Sequence, residues 1–228
     1  MYNKILKQLK ELSEEKYKEF NKKIIPTNQK VLGVKIPELR KLAKSIAKDE
    51  KESLKFIEID KKNIYEMVLL EGMVLANLNK SFLELLPLTE NFLSKVDNWA
   101  QIDTSIADYK NIRKEKKEVL QVIKKWLKSD NEFVVRAGLV ILLAHYIEEY
   151  YLNTIFDLSQ KVKHKGYYVK MGNAWLISAC MAKFPEETIN FFQNNKLDTE
   201  TQNKAIQKSR ESRRVSKENK ELILRFKK

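Results

Sequence analysis

The sequence has few of the residues that build turns, disulfides and metal sites. Its 228 residues include only 5 glycines and 4 prolines, too few for the frequent turns of an all-β fold. A single cysteine, Cys180, excludes an internal disulfide framework and suits a reducing compartment. The two histidines, His145 and His164, lie far apart and predict no zinc cluster. A glycine-rich phosphate-binding loop is also missing, so nucleotide hydrolysis is not predicted.

Long apolar runs are absent as well. No segment has the length needed to cross a bilayer. The N-terminal stretch MYNKILKQLKELSEEKYKEF is charged and amphipathic, unlike the apolar core of a signal peptide. These features predict a soluble, cytoplasmic protein that does not contact membranes.

The residues that are abundant favour helices and positive charge. Hydrophobic residues make up 43% of the chain and charged residues 33%, and Lys, Glu, Leu, Ile and Ala favour α-helix throughout. We therefore expect an all-α protein with a single domain over residues 1–228. The formal net charge of +13 indicates a polyanionic partner such as nucleic acid or an anionic membrane surface. A generally lysine-rich surface is the alternative.

Small residues recur at a regular spacing along the chain. They are Gly72 in LLEGMVLANL, Gly138 in VRAGLVILLA, Gly172 in VKMGNAWLIS, and Ser105 at the midpoint between the first two. The steps are 33, 33 and 34 residues. Glycine inside a helix costs about 1 kcal/mol relative to alanine, so the recurrence indicates close approach between helices in each repeat. Chance is the alternative.

Each predicted repeat contains two helices. We expect helices at 115–128 and 130–146 and again at 152–162 and 166–184. Pro37, Pro87 and Pro185 are predicted at the first positions of helices. The segment SDNEFVVRAG, with Ser129 or Asp130 as the cap, resembles a HEAT-like repeat. Such repeats stack into a curved solenoid, so the predicted fold is a HEAT-like helical-repeat solenoid with a concave basic groove.

Charged residues lie two positions before three of the four small residues. They are Asp103, Arg136 and Lys170, and the fourth position is Leu70. An unpaired charge is costly to bury, so these side chains should face a groove or pair with one another. An ion pair between Asp103 and Arg136 is the structural alternative.

Two tryptophans fall near this predicted groove. Trp99 and Asp103 are spaced i and i+4 on one helix face, and Trp175 lies three residues after Gly172. For a single tryptophan, packing in the core is the more frequent role. Trp126 and the Cys180 thiol are predicted to be core residues.

Basic residues collect at 110–128, at 161–170 and at the end of the chain. From Lys204 onward there are ten basic residues against three acidic ones. Arg210, Arg213 and Arg214 are predicted to contact phosphates along an edge of the groove. A solvated helix is the alternative. No lysine has an evident reason for a lowered pKa, so no lyase nucleophile is predicted.

Four stretches in order, VLGVKIPELRKLAKSIAK, VDNWAQID, EFVVRAGLVILL and GYYVKMGNAWLIS, resemble the AlkD-like family of DNA alkylation repair proteins, over residues 17–214. The resemblance implies a DNA glycosylase that excises N3- and N7-alkylated purines from double-stranded DNA. It also implies that no metal or organic cofactor is needed and that the base is not flipped into a pocket. We expect a monomer.

The resemblance assigns roles to individual residues. Trp99, Asp103 and Trp175 match the family's catalytic cluster of aromatic residues and a carboxylate, and Arg136 matches an arginine that contacts the DNA backbone. An N-terminal aromatic residue also contributes in the family, but the segment NKKIIPTNQK leaves Tyr17 and Phe20 both open. The alternatives are a non-catalytic DNA-binding solenoid that recognises damaged or branched DNA, and a HEAT-like protein scaffold.

Overall fold

The protein is all-helical, as predicted. The computed structural model describes all 228 residues and contains fourteen α-helices and no β-strand. None of the helices combines the length and the apolar character needed to span a membrane. The chain divides into two compact units, Met1–Glu115 and Lys116–Lys228, which are described in turn. A single repeat domain and a solenoid with a basic groove stay predictions.

The first unit is built around one buried helix. Its helices are α1 (Tyr2–Glu11), α2 (Glu15–Ile24), α3 (Ile36–Ile46), α4 (Glu50–Glu58), α5 (Tyr65–Asn77), α6 (Phe82–Leu93) and α7 (Trp99–Ser105), followed by two 3₁₀ turns, Ile106–Asp108 and Lys110–Lys114. Helix α5 is buried on all sides from Tyr65 to Leu75, and α3, α4, α6 and α7 pack against it. Its nearly continuous apolar sequence is typical of a central core helix.

Helix α5 approaches its neighbours closely at Gly72. A Cβ atom at this position would lie 2.6 Å from Cζ of Phe92 in α6 and 2.8 Å from Cβ of Ser105 in α7. Gly72 and Ser105 are one step apart in the predicted register, so two of the recurring small residues face each other here. The close helix approach inferred from the glycine spacing is confirmed for this pair.

Replacing Gly72 with alanine is expected to destabilise the protein. The overpacking against Phe92 and Ser105 costs about 1–3 kcal/mol, more than the roughly 1 kcal/mol that alanine contributes through helix propensity. The matched control is Gly138→Ala, because a Cβ atom there would lie 3.3 Å from its nearest neighbour, Cδ2 of Leu127. Urea unfolding measures both variants. Equal free energies of unfolding for the two variants would contradict this prediction.

A buried charge cluster joins α4 to α5. The Lys61 ammonium donates hydrogen bonds to three backbone carbonyls at the end of α4, at 2.6–2.9 Å. It also lies 3.0 Å from Oε2 of Glu71, an ion contact without the geometry of a further hydrogen bond. The other Glu71 oxygen binds Nζ of Lys95 at 2.7 Å. The cluster therefore caps the C-terminal end of α4 and neutralises the buried carboxylate.

The second unit is organised around α11. Its helices are α8 (Lys116–Trp126), α9 (Glu132–His145), α10 (Glu149–Lys161), α11 (Tyr167–Lys183), α12 (Pro185–Gln193), α13 (Thr199–Glu211) and α14 (Lys217–Leu222), followed by a 3₁₀ turn, Ile223–Phe226. Helix α11 packs against α9 and α13 along most of its length. The two helix pairs predicted for this part of the chain are both present.

Two of the predicted helix starts are wrong. Helix α9 is capped by Asn131, not by Ser129 or Asp130, because the Asn131 carboxamide directly precedes the helix and accepts hydrogen bonds from two N–H groups of its first turn. Pro87 lies inside α6, because a reciprocal capping box between Ser81 and Glu84 begins that helix earlier. The other two predicted proline positions are confirmed, since both prolines lie in the first turns of α3 and α12.

Candidate functional site

Helix α7 presents an aromatic ring and a carboxylate on one face. Trp99 is its first residue, and Asp103 follows one turn later. Both side chains are partly exposed, whereas the intervening Ala100, Gln101 and Ile102 are buried. The spacing predicted from the sequence therefore places Trp99 and Asp103 together at the surface of the first unit.

Buried amide groups hold α7 in place. Oδ1 of Asn98 accepts a hydrogen bond from the Gln101 N–H at 3.1 Å and caps the helix. Nε2 of Gln101 donates to Oε1 of Gln29 at 2.6 Å and to the Tyr65 carbonyl at 3.2 Å. Nε2 of Gln29 in turn donates to the Lys95 carbonyl at 2.9 Å. A helix of seven residues is too short to be stable alone, so these bonds fix the orientation of Trp99 and Asp103.

The carboxylate of Asp97, next to these amide groups, fixes the residues directly before α7. Asp97 accepts hydrogen bonds from Oγ1 of Thr27 at 2.7 Å, from the Asn28 N–H at 2.8 Å and from Nδ2 of Asn98 at 2.8 Å. The segment NKKIIPTNQK, which the sequence left without a role, thus supports the helix that carries Trp99. The sequence feature that could have indicated this support is Gln101, a polar residue on the inward face of α7.

The two aromatic candidates near the N-terminus lie on α2. The rings of Tyr17 and Phe20 stack with centroids 6.1 Å apart. Phe20 is exposed and Tyr17 is partly buried. The structure therefore leaves the choice between these two residues open.

The tryptophans and the cysteine of the second unit occupy different environments. Trp175 on α11 is 39% exposed, although packing in the core is the more frequent role of tryptophan. Trp126 is buried, which confirms its predicted place in the core. Cys180 is fully buried as well, and burial raises the pKa of its thiol to about 12. The Cys180 thiol is therefore unsuited to act as a nucleophile.

Arg136 and Lys170 are both held by protein groups. Arg136 is 5% exposed, and its Nη1 donates to the Tyr168 carbonyl at 2.6 Å. The missing side chain of Gly172 leaves room for the guanidinium, since a Cβ atom there would lie 3.3 Å from Nη1. Lys170 forms an ion pair with Glu200 of α13, and the hydrogen bond between them raises the pKa of Lys170. DNA contacts of both residues stay predictions.

Helix α9 fixes the first turn of α11 through two side chains. Oε1 of Glu132 accepts hydrogen bonds from the N–H groups of Tyr168, at 2.6 Å, and Val169, at 3.4 Å. One turn further along α9, Arg136 binds the carbonyl of the same Tyr168. A Cβ atom at Gly166 would overlap the Glu132 carboxylate, so a larger residue there would displace this carboxylate from its hydrogen bonds to α11. This clamp sets the position of the helix that carries Lys170 and Trp175.

The arginines near the end of α13 have no acidic partner. Arg210, Arg213 and Arg214 are exposed, and their side chains form no ion pair. A guanidinium without a protein partner keeps its hydrogen-bond donors available for phosphate oxygens. The three residues therefore have the properties expected of phosphate contacts, and this role stays a prediction.

One lysine has a lowered pKa, for which the sequence offered no evident reason. Burial lowers the pKa of Lys61, because its ammonium lies in the cluster between α4 and α5. The three backbone carbonyls and Glu71 surround this ammonium, so it has no access to a substrate. No group of three or more His, Cys, Asp or Glu side chains is arranged to hold a metal ion.

The chain resembles a family of known proteins over nearly its whole length. A search of curated proteins finds no match to the chain. A family model described as "DNA alkylation repair enzyme" matches residues 5–217, a stretch that includes every predicted site residue. Because this match extends over nearly the whole sequence, the chain belongs to the family of AlkD-like DNA alkylation repair enzymes, which act in the repair of alkylation damage to DNA.

Proposed function

We propose that this protein is a monofunctional DNA glycosylase that hydrolyses the N-glycosidic bond of N3- and N7-alkylated purines in double-stranded DNA. The observation that carries the proposal is the outward face of α7, where Trp99 and Asp103 lie one turn apart. The family match supplies the substrate class, which is alkylated DNA. The catalytic residues in this proposal are Asp103, Trp99 and Trp175.

A single carboxylate suffices for this reaction. Alkylation at N3 or N7 makes the purine cationic and therefore a good leaving group, so no general acid is needed, unlike in hydrolysis of ordinary glycosides by two carboxylates. Positive charge develops on the deoxyribose as the bond to C1′ lengthens. Asp103 stabilises this charge and orients or deprotonates the attacking water.

The tryptophans provide apolar surfaces for the damaged nucleotide. An aromatic face next to a cation contributes about 0.5–2 kcal/mol. Trp99 is partly exposed and Trp175 is 39% exposed, which leaves their rings available for such contacts. In our proposal the rings lie against the sugar and backbone and exclude bulk water, while the base stays in the duplex. Basic residues, including Arg136 and Lys170, hold the phosphates.

Base release tests the proposal directly. Under single-turnover conditions we expect release of 7-methylguanine from duplex DNA, and addition of a metal chelator should not change the rate. The matched control substrate carries O6-methylguanine, which has the same methyl group on an uncharged base and should not be released. Salt-sensitive DNA binding without release of either base would contradict the glycosylase and leave a non-catalytic DNA-binding protein.

A fluorescent base analogue tests whether the lesion stays stacked. With 2-aminopurine next to the alkylated base, extrusion of the lesion would unstack the analogue and raise its fluorescence. We expect no such rise when the protein binds. A large rise would contradict the part of the proposal that excludes base flipping.

A further inference from the structure

Two pairs of adjacent tyrosines lie at the starts of consecutive helices of the second unit. Tyr150 and Tyr151 lie in the first turn of α10, and Tyr167 and Tyr168 in the first turn of α11. In each pair the first ring is exposed, 79% for Tyr150 and 59% for Tyr167. Each first ring also meets the second edge-on, with centroids 4.8 Å apart in α10 and 5.2 Å apart in α11. The two pairs are therefore nearly equivalent in geometry.

The charged residues that precede the two tyrosine pairs in the sequence have opposite signs. Glu148 and Glu149 precede Tyr150, and two cations lie nearby: Lys116 is paired with Glu148 at 2.6 Å, and Nζ of Lys183 donates to the Ile147 carbonyl at 2.7 Å. By contrast, Lys163 and Lys165 precede Tyr167. A polyanion is attracted by the second arrangement and gains no comparable attraction from the first, in which acidic and basic groups are balanced.

Within the basic cluster at residues 161–170, Lys163 and Lys165 are the lysines without an acidic partner. Both side chains are exposed and neither forms an ion pair. The flanking lysines already have acidic partners, Lys161 in Asp157 at 2.7 Å and Lys170 in Glu200. The free positive charge of residues 161–170 is therefore confined to the loop directly before Tyr167.

This loop is preformed. The Gly166 N–H donates to Nδ1 of His164 at 3.0 Å, so the ring proton lies on Nε2, which is 3.1 Å from the Asp130 carbonyl. The Tyr168 ring stacks on Phe133 of α9, with centroids 5.9 Å apart. Anchoring on both sides means that little conformational entropy is lost when the loop binds a ligand.

We propose that residues 163–167 form a DNA-contact surface, here called the Lys-Tyr loop. In this surface Lys163 and Lys165 bind phosphates of the duplex, and the exposed ring of Tyr167 packs against a deoxyribose of the same strand. The inference rests on the proposed function for its ligand, double-stranded DNA, but it requires no excision. Tyr150 has the same geometry without an excess of positive charge and makes no such contact.

The salt dependence of DNA binding tests the two lysines. For Lys163→Gln with Lys165→Gln, we expect the slope of log affinity against log salt concentration for undamaged duplex to become less negative by about 1.8, or 0.9 per lost phosphate contact. The control is Lys48→Gln with Lys51→Gln, which removes the same charge from two exposed lysines without ion pairs. Fluorescence anisotropy of labelled duplex measures both. An unchanged slope for the loop variant would overturn the proposal.

The two exposed tyrosines test the role of the ring. We expect Tyr167→Ala to weaken duplex binding by about fivefold or more, as truncation of a well-packed interface tyrosine does, without changing the salt slope. Tyr167→Phe should bind normally because the ring remains. Tyr150→Ala is the matched control and should also bind normally. Equal affinities of the Tyr167→Ala and Tyr150→Ala variants would count against the Lys-Tyr loop.

The outcomes separate this inference from the glycosylase proposal. Unmodified protein that binds duplex but releases no alkylated base would contradict the glycosylase and leave the Lys-Tyr loop intact. Normal base release together with an unchanged salt slope in the lysine variant would overturn the loop alone. Failure of the unmodified protein to bind duplex would overturn both.

Discussion

Replacing Asp103 with asparagine is expected to slow the release of 7-methylguanine by about 10²–10⁴-fold, the range typical of a lost general base. This corresponds to about 3–5 kcal/mol of transition-state stabilisation. The carboxamide has nearly the shape of the carboxylate, but it carries no charge to stabilise the developing cation and accepts no proton from water. Affinity for duplex DNA should stay nearly unchanged, because the substituted group acts on the sugar only as the bond breaks.

A neighbouring carboxylate supplies the control for this experiment. Asp108 lies five residues after Asp103, and its Oδ2 is 3.1 Å from Nη2 of Arg40 in a partly exposed ion pair. Asp108→Asn removes the same charge and should leave the rate unchanged, since such a pair contributes at most about 1 kcal/mol to stability. Single-turnover rates separate the chemical step from product release. Equal losses of the release rate in both variants would show that the overall negative charge, and not the Asp103 carboxylate itself, determines the rate.

Glu71→Ala is expected to reduce the free energy of unfolding by about 3–5 kcal/mol, the usual cost of breaking a buried ion pair. The change leaves Lys61 without its counter-ion in a buried position, and it also removes the partner of Lys95. The Lys61 ammonium keeps its three carbonyl partners, but these do not neutralise its charge. Urea unfolding monitored by circular dichroism measures the loss.

A second variant distinguishes the lost charge pair from a lost packing contact. Glu71→Gln keeps the volume of the side chain but removes its charge, so it should lose most of the stability that Glu71→Ala loses. If Glu71→Gln were as stable as the unmodified protein, the cavity left by alanine would be the dominant cost. A Glu71→Ala variant within 1 kcal/mol of the unmodified protein would contradict the prediction.

Much of the fold could be predicted because it depends on local sequence. Residue composition indicated an all-α protein, and the glycine spacing located the close contact at Gly72. The first residue of α9 could not be predicted from residue type, because Ser129, Asp130 and Asn131 are all good helix caps and stand side by side. For Pro87, the capping box between Ser81 and Glu84 determines where α6 begins, so the proline does not mark the start of the helix.

The candidate site was predictable only in part. The spacing of Trp99 and Asp103 predicts that they share a helix face, because both lie on one short helix. The support beneath them was not predictable, since Gln29 and Gln101 are separated by 72 residues and meet only in the folded chain. The same holds for Lys61, whose lowered pKa depends on burial between two helices.

The hydrogen bond between Gln29 and Gln101 also constrains how this sequence can evolve. Replacing one of the two amides with an apolar residue leaves the other with a buried polar group that has lost a partner, at a cost of about 1–3 kcal/mol. We therefore expect a substitution at either position alone to be poorly tolerated. The segment around Gln29 and helix α7 thus constrain each other's sequence although 72 residues separate the two amides.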